Sequence, residues 1–224
     1  MRVKVQLEQV LDSLPDEVQL VAISKYHPCD AILEAYNAGQ KVFGESHVQE
    51  LMQKQPVLPQ DIQWHFIGHL QTNKVKYITP FVSLIHSVDS LKLINEIDKQ
   101  AKKNGRIVDI LLQIYVASEE TKFGFSKTEL FETLNKILAD TSQKNYHIVG
   151  LMCMATNTID ETQIHREFHY AHDIFQEVKE QFFADDSSFC QLSMGMSDDY
   201  LIAVEEGSTM VRVGSLIFGE RNYG

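Results

Sequence analysis

The sequence predicts an α/β protein, a single closed (β/α)8 barrel spanning residues 1–224. Three observations predict it. Apolar runs of strand length recur eight times, helically patterned stretches lie between them, and no long Pro/Gly/Ser linker or low-complexity tract divides the chain. The runs are continuous rather than strictly alternating, which is the pattern of strands buried on both faces of a parallel sheet. Eight alternations in 224 residues leave little room for a doubly wound sheet with a second domain. A barrel of this kind needs about 200 to 250 residues.

In chain order, strands are expected at QLVAISK (19–25), KVFGE (41–45), WHFIGH (64–69), LIHSVD (84–89), IVDILLQIYV (107–116), IVGLMCM (148–154), FCQLSMG (189–195) and MVRVG (210–214). Helices are expected at about 29–38, 46–55, 73–78, 90–104, 126–140, 160–183 and 198–206. The chain ends ten residues after Gly214, so the outer helix that should follow the eighth strand is expected to be missing. The segment 2–13 carries Val3, Val5, Leu7, Val10 and Leu11 at roughly helical spacing and is expected to cover that gap.

Composition narrows the function classes. A hydrophobic fraction of 44% and a charged fraction of 23% suffice for a sizeable core. The net charge of −11, from 31 acidic against 20 basic residues, disfavours nucleic acid and anionic membrane as partners. Any phosphate must therefore be held by local groups. The three cysteines, Cys29, Cys153 and Cys190, have no CxxC spacing, and the N-terminus does not resemble a signal peptide, which points to a reduced, cytoplasmic setting. No apolar run approaches the roughly 20 residues that span a bilayer.

Barrels of this class place their chemistry at the C-terminal ends of the strands. Here those ends carry Lys25, Glu45, His69, Asp89, Met152 or Met154, Ser193 and Arg212. Lys25 terminates the apolar VAIS. Either the strand emerges into water with a lysine, or a desolvated amine waits there to condense with an aldehyde as a Schiff base. SMGMSDD (193–199) puts serines and a glycine at a strand-to-helix junction, where Ser197 or Asp198 can cap the helix, and RVGS (212–215) does the same after the eighth strand. Together they match the phosphate cup built after strands seven and eight, although Gly and Ser are also ordinary turn formers. Arg212, between Val211 and Val213, needs either an acidic partner inside the barrel, such as Glu45 or Asp89, or a cofactor ring. A reactive lysine, a phosphate cup and an arginine correspond to the aldehyde, phosphate and pyridine nitrogen of pyridoxal 5′-phosphate (PLP).

Other features point to ordinary structure. His165, His169 and His172 share a helix flank beside a buried stripe of Ile164, Phe168, Ala171, Phe175, Val178 and Phe182, so a metal site is not expected. Glu119-Glu120 and Asp185-Asp186 read as solvated loops, and Cys153 as a small core residue.

The segments LVAISKYHP (20–28), VFGESHVQE (42–50), WHFIGHLQTNKVK (64–76), IHSVDS (85–90), TKFGFS (121–126), GLMCMA (150–155), LSMGMSDDY (192–200) and VRVGSLIFGERNYG (211–224) resemble, in order, those of the pyridoxal phosphate homeostasis protein family. That family is related to the barrel domain of alanine racemase. The resemblance implies a single barrel of the alanine racemase N-terminal-domain type without the C-terminal β-domain. It implies Lys25 as the aldimine lysine, Ser193, Gly214 and Ser215 at the phosphate, Arg212 at the pyridine nitrogen and Met152 in the pocket wall. Ser46 stands where the family has Asn, so a shorter hydroxyl faces the cofactor from that side and remains a site candidate.

The implied function is a non-catalytic, monomeric protein that holds PLP as a lysine aldimine and buffers it or delivers it to apo PLP-dependent enzymes, as part of vitamin B6 homeostasis. A permanently charged arginine favours an unprotonated ring nitrogen and weak electron withdrawal, and no second base is expected without the β-domain. The alternative is a weak PLP-dependent amino-acid racemase, with Tyr26 or His69 as the further base. A Schiff-base aldolase barrel would call for a second lysine or a carboxylate at neighbouring strand ends.

Overall fold

Each expected apolar run forms a strand, in the order β1 Gln19–Ile23, β2 Val42–Glu45, β3 Gln63–Phe66, β4 Leu84–Val88, β5 Val108–Gln113, β6 Tyr146–Met152, β7 Gln191–Ser193 and β8 Met210–Val213. The computed structural model describes residues 2–117 and 123–219, so the pair Glu119-Glu120 lies outside the described residues. Every strand pairs in parallel with its sequence neighbour, and the sheet closes into a barrel when β1 pairs with β8 through Leu20 with Val211 and Ala22 with Val213.

Closure divides side chains by parity. In β1, Val21 and Ile23 join a small interior cluster with Val42, Leu84, Leu111, Val149, Met152 and Met210, while Leu20 and Ala22 join the larger core between sheet and helices. In β8 the same alternation sends Met210 and Arg212 inward and Val211 and Val213 outward. Two register shifts interrupt the ladder, one in β4 between Ile85 and Val88 and one between β5 and β6. The register between β5 and β6 shifts after Ile110, whose partner is Ile148, so that Leu111 faces Gly150 and Val149 is skipped. That bulge puts both Val149 and Met152, three residues apart, in the interior.

The helices are α1 Arg2–Asp12, α2 Cys29–Asn37, α3 Val48–Lys54, α4 Val75–Ile78, α5 Leu91–Lys103, α6 Lys127–Ala139, α7 Glu161–Phe182, α8 Tyr200–Glu205 and the four-residue α9 Ser215–Phe218. Local capping sets several starts. Ser90 accepts from the N–H of Leu93 at α5, Ser126 and Glu129 form a reciprocal capping box at α6, and Asp160 accepts from Thr162 and Gln163 at α7. The expected cap of α8 by Ser197 or Asp198 does not form. Asp199 is the cap residue, and its carboxylate instead takes the N–H of Met196 at 2.5 Å, tightening the turn before the helix.

The expected covering helix is present. α1 packs between α2 and α9 and buries Val3, Leu7 and Val10, so it closes the side of the barrel where α9 is too short to reach. On α7, Ile164, Phe168, Ala171, Phe175 and Val178 are buried as expected, whereas Phe182 is only partly so. His165 and His169 turn to Glu206 at 2.8 and 2.9 Å. No cluster of metal-ligating side chains occurs among the described residues. No described helix is long and apolar enough to cross a membrane.

The place of α1 in the core is testable. Leu7 is fully buried, so Leu7→Ala is expected to lower the free energy of urea unfolding by about 2 to 5 kcal/mol. Val5→Ala, at a half-exposed position of the same helix, should change it by no more than about 0.5 kcal/mol. Equal small effects would show that α1 is not part of the folded unit.

Candidate functional site

At the C-terminal ends of the strands opens a cleft of about 590 Å³, within the usual range for small-molecule sites. Five of the seven sequence-predicted residues line it: Lys25, Ser46, Arg212, Gly214 and Ser215. Lys25 follows the last interior residue of β1, Ile23, at the parity that directs it inward over the barrel.

Two expected residues do not reach the cleft. Met152 is 1% exposed within the interior cluster, because the β6 bulge turns it inward one layer too deep, and Met154, two residues on, lines the wall in its place. Ser193 is also fully buried, in register with Met152 on one side and Met210 on the other. Its hydroxyl accepts from Arg212 Nη1 and lies 3.0 Å from His86 Nδ1, so it supports the guanidinium from below.

The rim beside β8 keeps the features of an anion cup. Ser197 Oγ accepts from the backbone N–H of Gly214 at 3.2 Å, tying the two loops together. Gly214 caps α9, and the next N–H groups, on Ser215 and Leu216, take no backbone acceptor among the described residues. Gly195, at φ 94°, makes the turn out of β7, and a Cβ there would meet Ala203 at 2.6 Å. Opposite, a Cβ on Gly68 would collide with the backbone of Ser46, so only glycine lets those two rim loops approach.

Arg212 forms part of the cleft wall although only 3% of it is exposed. Neither Glu45 nor Asp89 is its partner. Glu45 faces the helix layer and pairs with Lys54, and Asp89 lies 3.4 Å from His69. Among the described residues no carboxylate reaches salt-bridge distance of the guanidinium. Instead Nη1 donates to Ser193 Oγ at 2.7 Å and Nη2 to the carbonyl of Cys153 at 2.9 Å. Burial lowers the Arg212 pKa from its usual value, opposed by Cys153 and the Asp199 carboxylate. Two of the five guanidinium N–H donors are thereby committed, and a buried cation with spare donors borders a cleft.

Below Arg212 runs a chain that the sequence analysis missed. Ser193 Oγ lies 3.0 Å from His86 Nδ1, and His86 Nε2 lies 3.0 Å from His65 Nδ1. With both rings neutral, the Ser193 hydroxyl can donate to His86 Nδ1 and the His86 Nε2–H to His65 Nδ1, so the two links of the chain are matched. Burial pushes His65 down to about 3. His86 falls well below its ordinary value through burial, then the neighbouring His65 and the Arg212 charge. The signal was legible in WHFIG and LIHSV, where a polar residue interrupts an apolar run at inward parity. At the cleft mouth His69 stacks on Phe123, ring centroids 4.1 Å apart, while the Tyr26 hydroxyl lies 3.4 Å from His47 Nε2.

Comparisons with known proteins show the family to which the chain belongs. The family model described as alanine racemase, N-terminal domain, matches residues 2–222. A pyridoxal phosphate homeostasis protein of Aquifex aeolicus is 40% identical over 206 residues, covering 92% of this chain and 88% of its own. One from Vibrio alginolyticus is 38% identical over 222 residues, covering 96% and 92%. A solved structure of PipY from Synechococcus elongatus with PLP bound has 36% identity and a TM-score of 0.88, covering 97% of this chain and 100% of that one.

The buried histidines fix a pH dependence. An unfolded histidine titrates near 6.5, so as pH falls below about 6.5 the unfolded state takes up protons that the fold refuses. Their contribution is complete above that pH and is lost as pH drops toward about 3, the value for His65. Each histidine is worth about 1.4 kcal/mol per pH unit inside the window. Glu45 has the opposite sign: burial raises its carboxyl to about 7, so its contribution is present below its ordinary value of 4.5 and lost as pH rises through 7. It offsets more than half of the histidine contribution. Urea unfolding is expected to show a free energy lower by about 1 to 2 kcal/mol at pH 5 than at pH 7.5. Equal or greater stability at pH 5 would contradict the burial of both rings in neutral form.

Proposed function

Because the chain belongs to the alanine racemase N-terminal domain family and, within it, to the pyridoxal phosphate homeostasis proteins, we propose that it binds PLP reversibly and buffers or delivers it without catalysing a reaction. The observation that carries this reading is Arg212, a buried guanidinium with no carboxylate partner among the described residues, bordering a cleft that Lys25 also lines.

The residues present fit the cofactor. Lys25 supplies an amine for the aldehyde. The Ser197 hydroxyl, the N–H and hydroxyl of Ser215 and the Gly214 turn supply neutral donors for the phosphate, which suits a chain of net charge −11. Ser46 supplies a hydroxyl on the β2 side. Bound PLP withdraws electrons from an attached amino acid most strongly when an acid keeps its ring nitrogen protonated. Arg212 cannot accept a proton and repels one, so it holds that nitrogen unprotonated and the sink weak. Ser193 and His86 keep the guanidinium from turning away. Such an arrangement holds the cofactor and gives it up, and recipients are apo PLP-dependent enzymes. The protein acts as a cytoplasmic monomer.

One observation favours a second reading, a weak PLP-dependent racemase. His69 lines the cleft with its Nδ1 3.4 Å from Asp89, an arrangement suited to a general base.

Addition of PLP to the purified protein is expected to produce a visible absorption band that borohydride abolishes, leaving a reduced adduct on the peptide containing Lys25. Lys25→Ala should give no band and no adduct. A panel of amino acids should show no racemisation or transamination above that of free PLP. Turnover that disappears in His69→Ala would replace the carrier reading with the enzyme.

A further inference from the structure

The strand end beside Lys25 carries a second set of charges that the cofactor reading leaves unused. Glu45 closes β2 toward the helix layer and is fully buried. Its Oε1 accepts from Ser24 Oγ at 2.6 Å and from Lys54 Nζ at 2.7 Å. Lys54, on α3 and 6% exposed, also donates to the carbonyl of Ser24 at 2.8 Å and to Glu50 Oε1 at 2.7 Å, so its three N–H groups are all placed. Glu50 Oε1 in turn accepts the backbone N–H of Tyr26 at 2.6 Å.

A buried ammonium and a buried carboxyl group, with a second carboxylate at the edge, are costly, and well-packed apolar residues would often fill the same layer at no loss of stability. Their bonds share a destination. They end on Ser24 and Tyr26, the residues immediately before and after Lys25. Tyr26 has φ 66°, a left-handed conformation that a non-glycine residue keeps only where its surroundings hold it.

We propose that Glu45, Lys54 and Glu50 are positioning residues for Lys25, clamping the backbone on both sides so that the amine stands in the cleft at the angle an aldehyde requires. This rests on the reading of Lys25 as the PLP tether. The step it serves is a condensation: the neutral amine adds to the aldehyde carbon, a C–N double bond replaces the C–O double bond, and the oxygen leaves as water with the two amine hydrogens. Hydrolysis reverses it and frees the cofactor. Misplacing one reactant by about 1 Å can cost on the order of a hundredfold in such a step. The phosphate cup, on the β7 and β8 side, does not depend on the clamp.

Glu50 is the member to change, since its side chain is partly exposed, whereas removing Lys54 leaves the buried Glu45 carboxyl without its cation. After mixing with PLP, Glu50→Ala is expected to form the imine band about tenfold or more slowly than the wild type. Glu50→Gln, which keeps an acceptor for the Tyr26 N–H, should recover most of the rate. Pyridoxine 5′-phosphate has the same ring and phosphate but no aldehyde, and it should bind Glu50→Ala and wild type equally. A wild-type rate in Glu50→Ala, or an equal loss for both ligands, overturns the proposal. A wild-type protein that forms no borohydride-stable adduct on Lys25 removes the tether reading, and the proposal falls with it.

Discussion

A guanidinium buried at the floor of the cleft sets the terms for the barrel interior. Arg212 points inward because β8 alternates, and a charge there is tolerable only if its donors are met. The protein meets two of them with neutral oxygens, Ser193 Oγ and the Cys153 carbonyl. That choice propagates. Ser193 needs a partner that carries no charge, His86 fills the role, and His65 completes the chain across the interior. A carboxylate in place of Ser193 would neutralise the arginine within the protein, leaving little positive field for a ligand. Using neutral partners leaves the charge directed at whatever enters the cleft.

The cleft therefore depends on two different shells. Arg212 is held from inside the barrel by uncharged hydrogen-bonding groups. The backbone on either side of Lys25 is bonded from outside, at Ser24 and Tyr26, by the ionic cluster between the sheet and α3. The two residues come from adjacent strands, β1 and β8, whose pairing closes the barrel. Barrel closure is thus the step that assembles the site, and nothing in β1 or in β8 separately could do so.

The fold was largely legible in the sequence because continuous apolar runs and helical spacing are local signals, and the count of eight decided the rest. Lys25, Arg212, Gly214 and Ser215 were legible because they sit at strand ends, where position alone implies the functional face. Met152 and Ser193 lie one layer below the cleft lining, a depth along the barrel axis that depends on the β6 bulge and on strand stagger and that no single run of sequence displays. His65 and His86 went unnoticed because neighbouring strands must be aligned before the two rings are seen to touch. The partner of Glu45 was missed for a related reason: Lys54 lies nine residues on and on another element.

The central claim is that Arg212 faces the pyridine nitrogen of PLP and keeps it unprotonated, so that Lys25 tethers the cofactor without activating it. The 15N chemical shift of the pyridine nitrogen in labelled PLP bound to the protein tests this directly. The account predicts the shift of an unprotonated pyridine at neutral pH, moving in Arg212→Glu to that of a pyridinium. A pyridinium shift in the wild-type protein would contradict it.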